Sequence, residues 1–168
     1  MKLIEINKAR YRQHLNRVIM ACIVVLTVTA LSISTLLIHF FSDGSETHFT
    51  LNLAGVVLGG GLVLQLLRHF RGHPYMHEIM YVWDLKHQLN LITRRLRNIQ
   101  QAARKGDHNA MQALNFSYLG SEQLWRLDDN TITLDDLTPL KAELAELAQQ
   151  YECELAVEAY SKEMLNAF

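Results

Sequence analysis

Two uncharged apolar runs near the start of the chain constrain its fold more than any other feature. Val18 to Phe41 (24 residues) and Phe49 to Leu67 (19 residues) contain no Asp, Glu, Lys or Arg. About 20 helical residues cross the hydrocarbon core of a bilayer. The runs therefore predict two transmembrane helices, 18–41 and 49–67, joined by the short segment 42–48. A buried helix of a soluble fold is the alternative for the second, shorter run.

The placement of Lys and Arg predicts which way this hairpin faces. Residues 1–17 carry five Lys or Arg against one Glu, segment 42–48 carries none, and residues 68–73 carry two. Short flanks rich in positive charge stay on the cytoplasmic side. We therefore expect a basic cytoplasmic N-terminal segment (1–17), a periplasmic loop (42–48), a basic juxtamembrane hinge (68–73) and both termini in the cytoplasm. The residues after the first run make a poor cleavage site, which favours an uncleaved signal anchor.

Small residues predict how the two spans pack. Gly55 and Gly59 form a small-x-x-x-small pair, a spacing that lets helix backbones approach closely, and two further glycines extend it. The first run offers a stripe of small residues at Thr27, Ala30 and Ser34. We expect this stripe to pack on the glycine face of the same chain, with homodimerisation through the glycines as the alternative. Transport by this chain alone is not expected, because ion pathways usually need an ionisable group within a span.

Residues 74–168 predict a small cytoplasmic helical domain. After Pro74, apolar residues recur at steps of three and four, which indicates one long juxtamembrane helix. The members of this seam are Val82, Leu85, Leu89, Ile92, Leu96, Ile99 and Ala103. Three helices with one seam each favour an intramolecular bundle. A parallel coiled-coil dimer along the long helix is the alternative. The predicted fold is therefore all-α: a two-helix transmembrane hairpin followed by a small cytoplasmic bundle.

Capping residues set the expected helix boundaries in this domain. Gly106 is suited to end the long helix, and Asp107 to cap the next one. Gly120 is expected to interrupt that second helix. Thr138 and the following proline predict the start of a third helix. After it, alternating residues hint at an extended stretch, with a short closing helix from about Ser161.

His69, His73 and His77 are spaced by four residues, which on one continuous helix face would make a metal or haem site. Gly72 and Pro74 interrupt the helix between them. A juxtamembrane hinge with polar imidazoles is therefore the favoured interpretation, and metal binding is the alternative.

A partner surface is the functional interpretation of side chains that lie off the seam. Trp83 and Leu91 fall outside it, and Arg94 and Arg97 belong to a basic stretch on the outer face. A solvated face is the plainer interpretation, and anionic lipid or a protein partner is the functional one. Nucleic acid is not expected, because residues 74–168 carry nine Lys or Arg against fourteen Asp or Glu.

No catalytic motif is present in the sequence: it has no nucleophile elbow, metalloprotease helix or dinucleotide loop. We expect no enzyme activity, no catalytic residue and no cofactor. Cys22 and Cys153 lie in different predicted phases, so a disulfide between them is not expected. The predicted role is a membrane-tethered helical interaction module or accessory subunit, with the lipid bilayer and an unidentified protein as partners. A metal- or haem-responsive regulator is the alternative.

Several segments resemble a known protein family. They are residues 1–17, His73-Pro74-Tyr75-Met76, Tyr81-Val82-Trp83-Asp84-Leu85-Lys86, Leu119-Gly120 and Leu127-Asp128-Asp129-Asn130-Thr131. Together they are similar to a gammaproteobacterial family of two-span inner-membrane proteins, domain of unknown function 3087, over nearly the whole chain. The resemblance implies a multi-pass protein of the bacterial inner membrane. It implies no activity, cofactor or site residue.

Overall fold

A computed structural model describes residues 2–41, 48–130 and 134–168. These residues include no β-strand, and two long apolar helices are followed by a helical region, so the all-α prediction is confirmed. The chain divides into two compact units, Ala9–Met80 and residues 2–8 with Tyr81–Phe168. We call them the hairpin unit and the helical unit. Apart from His48, the predicted periplasmic loop 42–48 lies outside the described residues.

The hairpin unit contains helices α1 (Lys8–Phe41) and α2 (Phe49–Phe70). Helix α1 begins at Lys8, well before the predicted span at Val18, so the second half of the basic segment 1–17 is also helical. Only 11% of the most apolar stretch of each helix is buried, whereas the core helix of a soluble protein would be mostly buried. Both helices are long and apolar enough to cross a membrane. Their low burial leaves exposed the apolar surface that a bilayer would cover.

Helices α1 and α2 meet through glycine. A Cβ atom added to Gly55 would lie 2.8 Å from the carbonyl oxygen of Ala30 and 3.0 Å from the Cβ of Ser34. One added to Gly59 would lie 3.0 Å from the Thr29 hydroxyl. The Ser34 hydroxyl also donates a hydrogen bond to the side-chain oxygen of Asn52. The contact is thus a close backbone approach within one chain, reinforced by an interhelical hydrogen bond.

Thr27, which we expected in this contact, is exposed instead. The contact follows steps of four along α1, so the row that holds Ser34 and Ala30 passes through half-buried Leu26. Open space surrounds Gly60 and Gly61, which do not extend the glycine contact.

The helical unit contains most of α3 (His77–Thr93), then α4 (Leu96–Ala103), α5 (His108–Leu127) and α6 (Leu137–Gln150). Short 3-10 helices lie at Pro74–Met76 in the hairpin unit and at Val157–Ala159 and Lys162–Ala167 in the helical unit. Helix α5 packs against α4, α6 and the two C-terminal 3-10 helices, so it forms the centre of the core.

The predicted long helix is wrong in one respect, because it breaks between α3 and α4 at Arg94 and Arg95. No proline or glycine marks this point. The Arg95 guanidinium donates to the carbonyl of Leu165, a contact with the distant C-terminus that accompanies the break. Ile92 and Ile99, on either side, are both fully buried within the chain. The seam is therefore covered internally, as in the predicted bundle, and is not free for a coiled-coil dimer.

The junction between α4 and α5 is the one that the sequence predicts. Gly106 has φ +89°, its N–H bonds the carbonyl of Ala103, and the next N–H bonds that of Ala102, as in a Schellman motif. The Asp107 carboxylate caps α5 by accepting from the N–H of Ala110 at 2.9 Å. Both capping predictions are confirmed.

Two other boundary predictions are wrong. Helix α5 runs through Gly120 without interruption. A Cβ at this position would lie 3.1 Å from Leu85 and 3.2 Å from Leu89. This glycine therefore allows close packing against α3. Helix α6 begins at Leu137 after Asp136, so Thr138 lies inside its first turn and is not the cap, whereas Pro139 lies in the first turn as predicted.

The C-terminal segment closes the core. Tyr160 is almost fully buried and stacks on Phe116 of α5, with ring centroids 4.3 Å apart. Gln112 of α5 donates to the carbonyl of Glu154 at 2.6 Å and accepts from the N–H of Ala156 at 3.0 Å. A short 3-10 helix then follows Ser161, where a closing helix was predicted.

Candidate functional site

The three histidines proposed as metal ligands are exposed and do not converge. Nδ1 of His73 accepts a hydrogen bond from the N–H of Tyr75 at 3.1 Å and caps the 3-10 helix Pro74–Met76. His69 lies edge-on to Phe70 within α2, and His77 begins α3. Across the described part of the chain, no group of three His, Cys, Asp or Glu side chains could hold a metal ion.

The residues of the predicted partner surface have different environments. Trp83 is 66% exposed, whereas Leu91 is half-buried against the core. Arg94 and Arg97 are exposed, and the Arg94 side chain donates to Asn90 at 3.0 Å. Of the four, Trp83 is therefore the large apolar side chain that stays open to a partner.

Within the helical unit, the N-terminal segment 2–8 docks on α3 and α5, a feature that the sequence did not predict. The N–H of Ile4 donates to the Tyr81 hydroxyl at 3.0 Å, and the Gln123 side chain donates to the Ile4 carbonyl at 2.5 Å. Lys8 pairs with Asp129, and Leu3 packs against the core. The sequence gives one weak indication of this contact. Leu3 and Ile6 are apolar residues in a mostly polar and basic segment, and both are half-buried in the structure.

This docking constrains the topology. Residues 2–8 and residues 81–168 belong to one compact unit, although both candidate spans lie between them in the sequence. Segments that pack together must lie on the same side of any membrane that the chain crosses.

A buried polar cluster lies in the hairpin unit, outside the candidate spans. Glu78, near the start of α3, is 6% exposed and pairs with the exposed guanidinium of Arg10 from α1. The imidazole of His14, one turn further along α1, lies beside the same carboxylate. His14 also stacks on Tyr75, with ring centroids 3.8 Å apart and planes 24° from parallel. The cluster thus joins the N-terminal end of α1 to the turn that follows α2.

The carboxylate of Glu78 is held in its charged form. Burial raises the pKa of this carboxyl, but its backbone hydrogen bond and the positive charge of Arg10 outweigh burial and lower the pKa overall. Oε2 of Glu78 and Nδ1 of His14 are 3.4 Å apart, and neither has a hydrogen-bond partner among the described residues.

An apolar cavity of about 350 Å³ lies between α1 and α2 at the same end of the hairpin. Val18, Cys22 and Val25 line it from α1, and Val63 and Leu67 line it from α2. The turn after α2 contributes Tyr75, the residue that stacks on His14. Sequence reasoning missed this site because its members are ordinary span residues, brought together only by the antiparallel pairing.

Residues 1–165 match a family described as a protein of unknown function, DUF3087. The chain belongs to this family. The family description assigns no activity, ligand or partner, so it adds no residue roles to the geometry above. No curated protein and no solved structure matches the chain.

Proposed function

We propose that this member of the family is a two-span protein of the bacterial inner membrane, with both termini in the cytoplasm. The exposed apolar surface of α1 and α2 supports the membrane setting. The docking of residues 2–8 on the helical unit supports an even number of crossings. Segments 1–17 and 68–73 contain Lys and Arg, whereas segment 42–48 contains neither. This distribution supports a cytoplasmic position for both termini.

We further propose that the helical unit is an interaction module or accessory subunit rather than an enzyme. The observation that carries this proposal is Trp83, which is 66% exposed on a helix whose neighbouring Val82 and Leu85 are buried. Trp is enriched at protein interfaces, where it supplies a large share of the binding energy. We take the partner to be a second protein. Homodimerisation through Gly55 and Gly59 is disfavoured, because that face is already in contact with α1.

Site-specific photo-cross-linking in living cells tests this role. A photoreactive amino acid at Trp83 should give a discrete adduct with one other protein, identified by mass spectrometry. The same substitution at exposed Glu152 is the control and should not give that adduct. Adducts with this chain alone, or the same set of adducts at both positions, would contradict the interaction role.

A further inference from the structure

We propose that the cavity between α1 and α2 binds one acyl chain of an anionic phospholipid, with the phosphate held by the arginines that flank its lining residues in the sequence. The site rests on the membrane hairpin of the preceding section but not on the interaction role of the helical unit. The cavity of about 350 Å³ is within the range of small-molecule sites and is lined almost entirely by apolar side chains.

The cavity is shaped to receive a chain from the bilayer. Its walls come from both spans, and its end is formed by Tyr75 and Met76 of the turn that follows α2. The stacking of Tyr75 on His14 and the hydrogen bond from its N–H to His73 fix this end. The buried Glu78 cluster is therefore a positioning element, which keeps the turn at the end of the cavity in place.

Charge at this end favours an anionic headgroup over a zwitterionic one. Arg17 adjoins the lining residue Val18 in the sequence, Arg68 adjoins Leu67, and Arg71 adjoins Phe70, which also lines the cavity. All three arginines are exposed. Residues 9–17 and 68–80 together carry five arginines against Glu78 alone, which pairs with Arg10, so the segments keep a net positive charge. Basic sites between transmembrane helices on the cytoplasmic side are suited to anionic headgroups, and a guanidinium binds phosphate through two parallel hydrogen bonds.

Native mass spectrometry of the full chain in detergent tests this site. The probes are dioleoylphosphatidylglycerol and dioleoylphosphatidylethanolamine, added singly and in competition. We expect one phosphatidylglycerol retained per chain, in preference to the zwitterionic lipid. Cys22→Trp fills the cavity, and retention should fall by about tenfold or more, because a ligand in such a site buries most of its surface there. Ile23→Trp is the matched control, since Ile23 is 52% exposed at the same depth, and it should retain lipid like the wild type.

A second variant keeps the test decisive if Cys22→Trp does not fold. Arg68→Gln should reduce the preference for phosphatidylglycerol by about fivefold while leaving acyl-chain binding in place. Equal retention of the two lipids by the wild type, or equal losses in the Cys22 and Ile23 variants, would overturn the proposal. So would a lipid-free dimer that Cys22→Trp dissociates, because the cavity would then hold a second copy. None of these results alters the topology, which is measured separately by cysteine labelling.

Discussion

The hydroxyl of Tyr81 donates a hydrogen bond to the side-chain oxygen of Gln123 at 2.9 Å. The same two side chains bind both backbone polar groups of Ile4, so three residues form a closed ring of hydrogen bonds. Tyr81 lies in α3 and Gln123 in α5, and the N-terminal segment is thereby fixed to two helices of the helical unit. This ring supports the proposal that both termini lie on one side of a membrane.

Tyr81→Phe should release the N-terminal segment without unfolding the helical unit. The substitution removes the acceptor for the Ile4 N–H and the donor to Gln123, and each such bond contributes about 1 kcal/mol. Hydrogen exchange at Ile4 should therefore become faster. Tyr151→Phe is the control, because it removes a hydrogen bond to the Arg104 carbonyl and should leave exchange at Ile4 unchanged. Unchanged exchange at Ile4 in Tyr81→Phe would mean that the ring does not hold the segment.

Gly55→Ala should destabilise the packing of α1 against α2, whereas Gly60→Ala should not. The new methyl group at position 55 would meet the backbone oxygen of Ala30, and such overpacking costs about 1–3 kcal/mol. Gly60 has open space around it, so alanine there should be neutral or stabilise the helix by about 1 kcal/mol. Reversible unfolding in mixed micelles measures both variants. Equal effects would show that the glycine face is not the helix contact.

Ser34→Ala should weaken the hairpin less than Gly55→Ala does. Hydrogen bonds between transmembrane helices contribute about 0.6 kcal/mol on average, with values up to about 2. A double-mutant cycle with Ser34→Ala and Asn52→Leu isolates the interaction between the two side chains. The coupling free energy should be favourable and of this size, and a value of zero would contradict the hydrogen bond.

The hairpin unit should lose stability in acid through Glu78. The folded pKa of this carboxyl is lowered below its ordinary value of 4.5. The ion pair with Arg10 is therefore fully stabilising above that value and is lost as the pH falls through the lower, folded pKa. Glu78→Gln should make the unfolding free energy less dependent on pH below 4.5. Exposed Glu152→Gln controls for the loss of one negative charge. An unchanged acid slope in Glu78→Gln would contradict the buried pair.

Cys153 should react slowly with maleimides until the helical unit unfolds. The thiol is 9% exposed, and burial raises the pKa of the group, so little reactive thiolate forms at neutral pH. Labelling with and without denaturant measures this. Rapid labelling of the folded chain would show that the C-terminal segment does not cover the core. The native cysteine is therefore a poor reporter of topology, and exposed positions serve better.

Local signals predicted much of the fold. The charge-free spans, the turn at Gly106 and the cap at Asp107 depend on nearby residues, and the structure has helices and caps where these signals place them. A hydrogen bond to Leu165 accompanies the break at Arg95, and one from Gln123 holds the docked Ile4. Such contacts join residues far apart in the sequence, which no window of periodicity can detect.

The candidate sites show the same division. Gly55 and Gly59 were identified by their spacing, whereas the cavity and the Glu78 cluster require α1 to lie beside the turn at Tyr75. Gly120 shows the converse error, because its helix-breaking tendency is outweighed by close packing against Leu85 and Leu89.

Cysteine accessibility measures the topology most directly. In a variant without Cys22 and Cys153, single cysteines are placed at Lys2, Ser45 and Glu158, and intact spheroplasts are treated with a membrane-impermeant maleimide. The hairpin with cytoplasmic termini predicts labelling at Ser45→Cys in intact cells, and at Lys2→Cys and Glu158→Cys only after permeabilisation. Labelling of both termini in intact cells would reverse the orientation. Different behaviour of Lys2→Cys and Glu158→Cys would contradict the two-span hairpin itself.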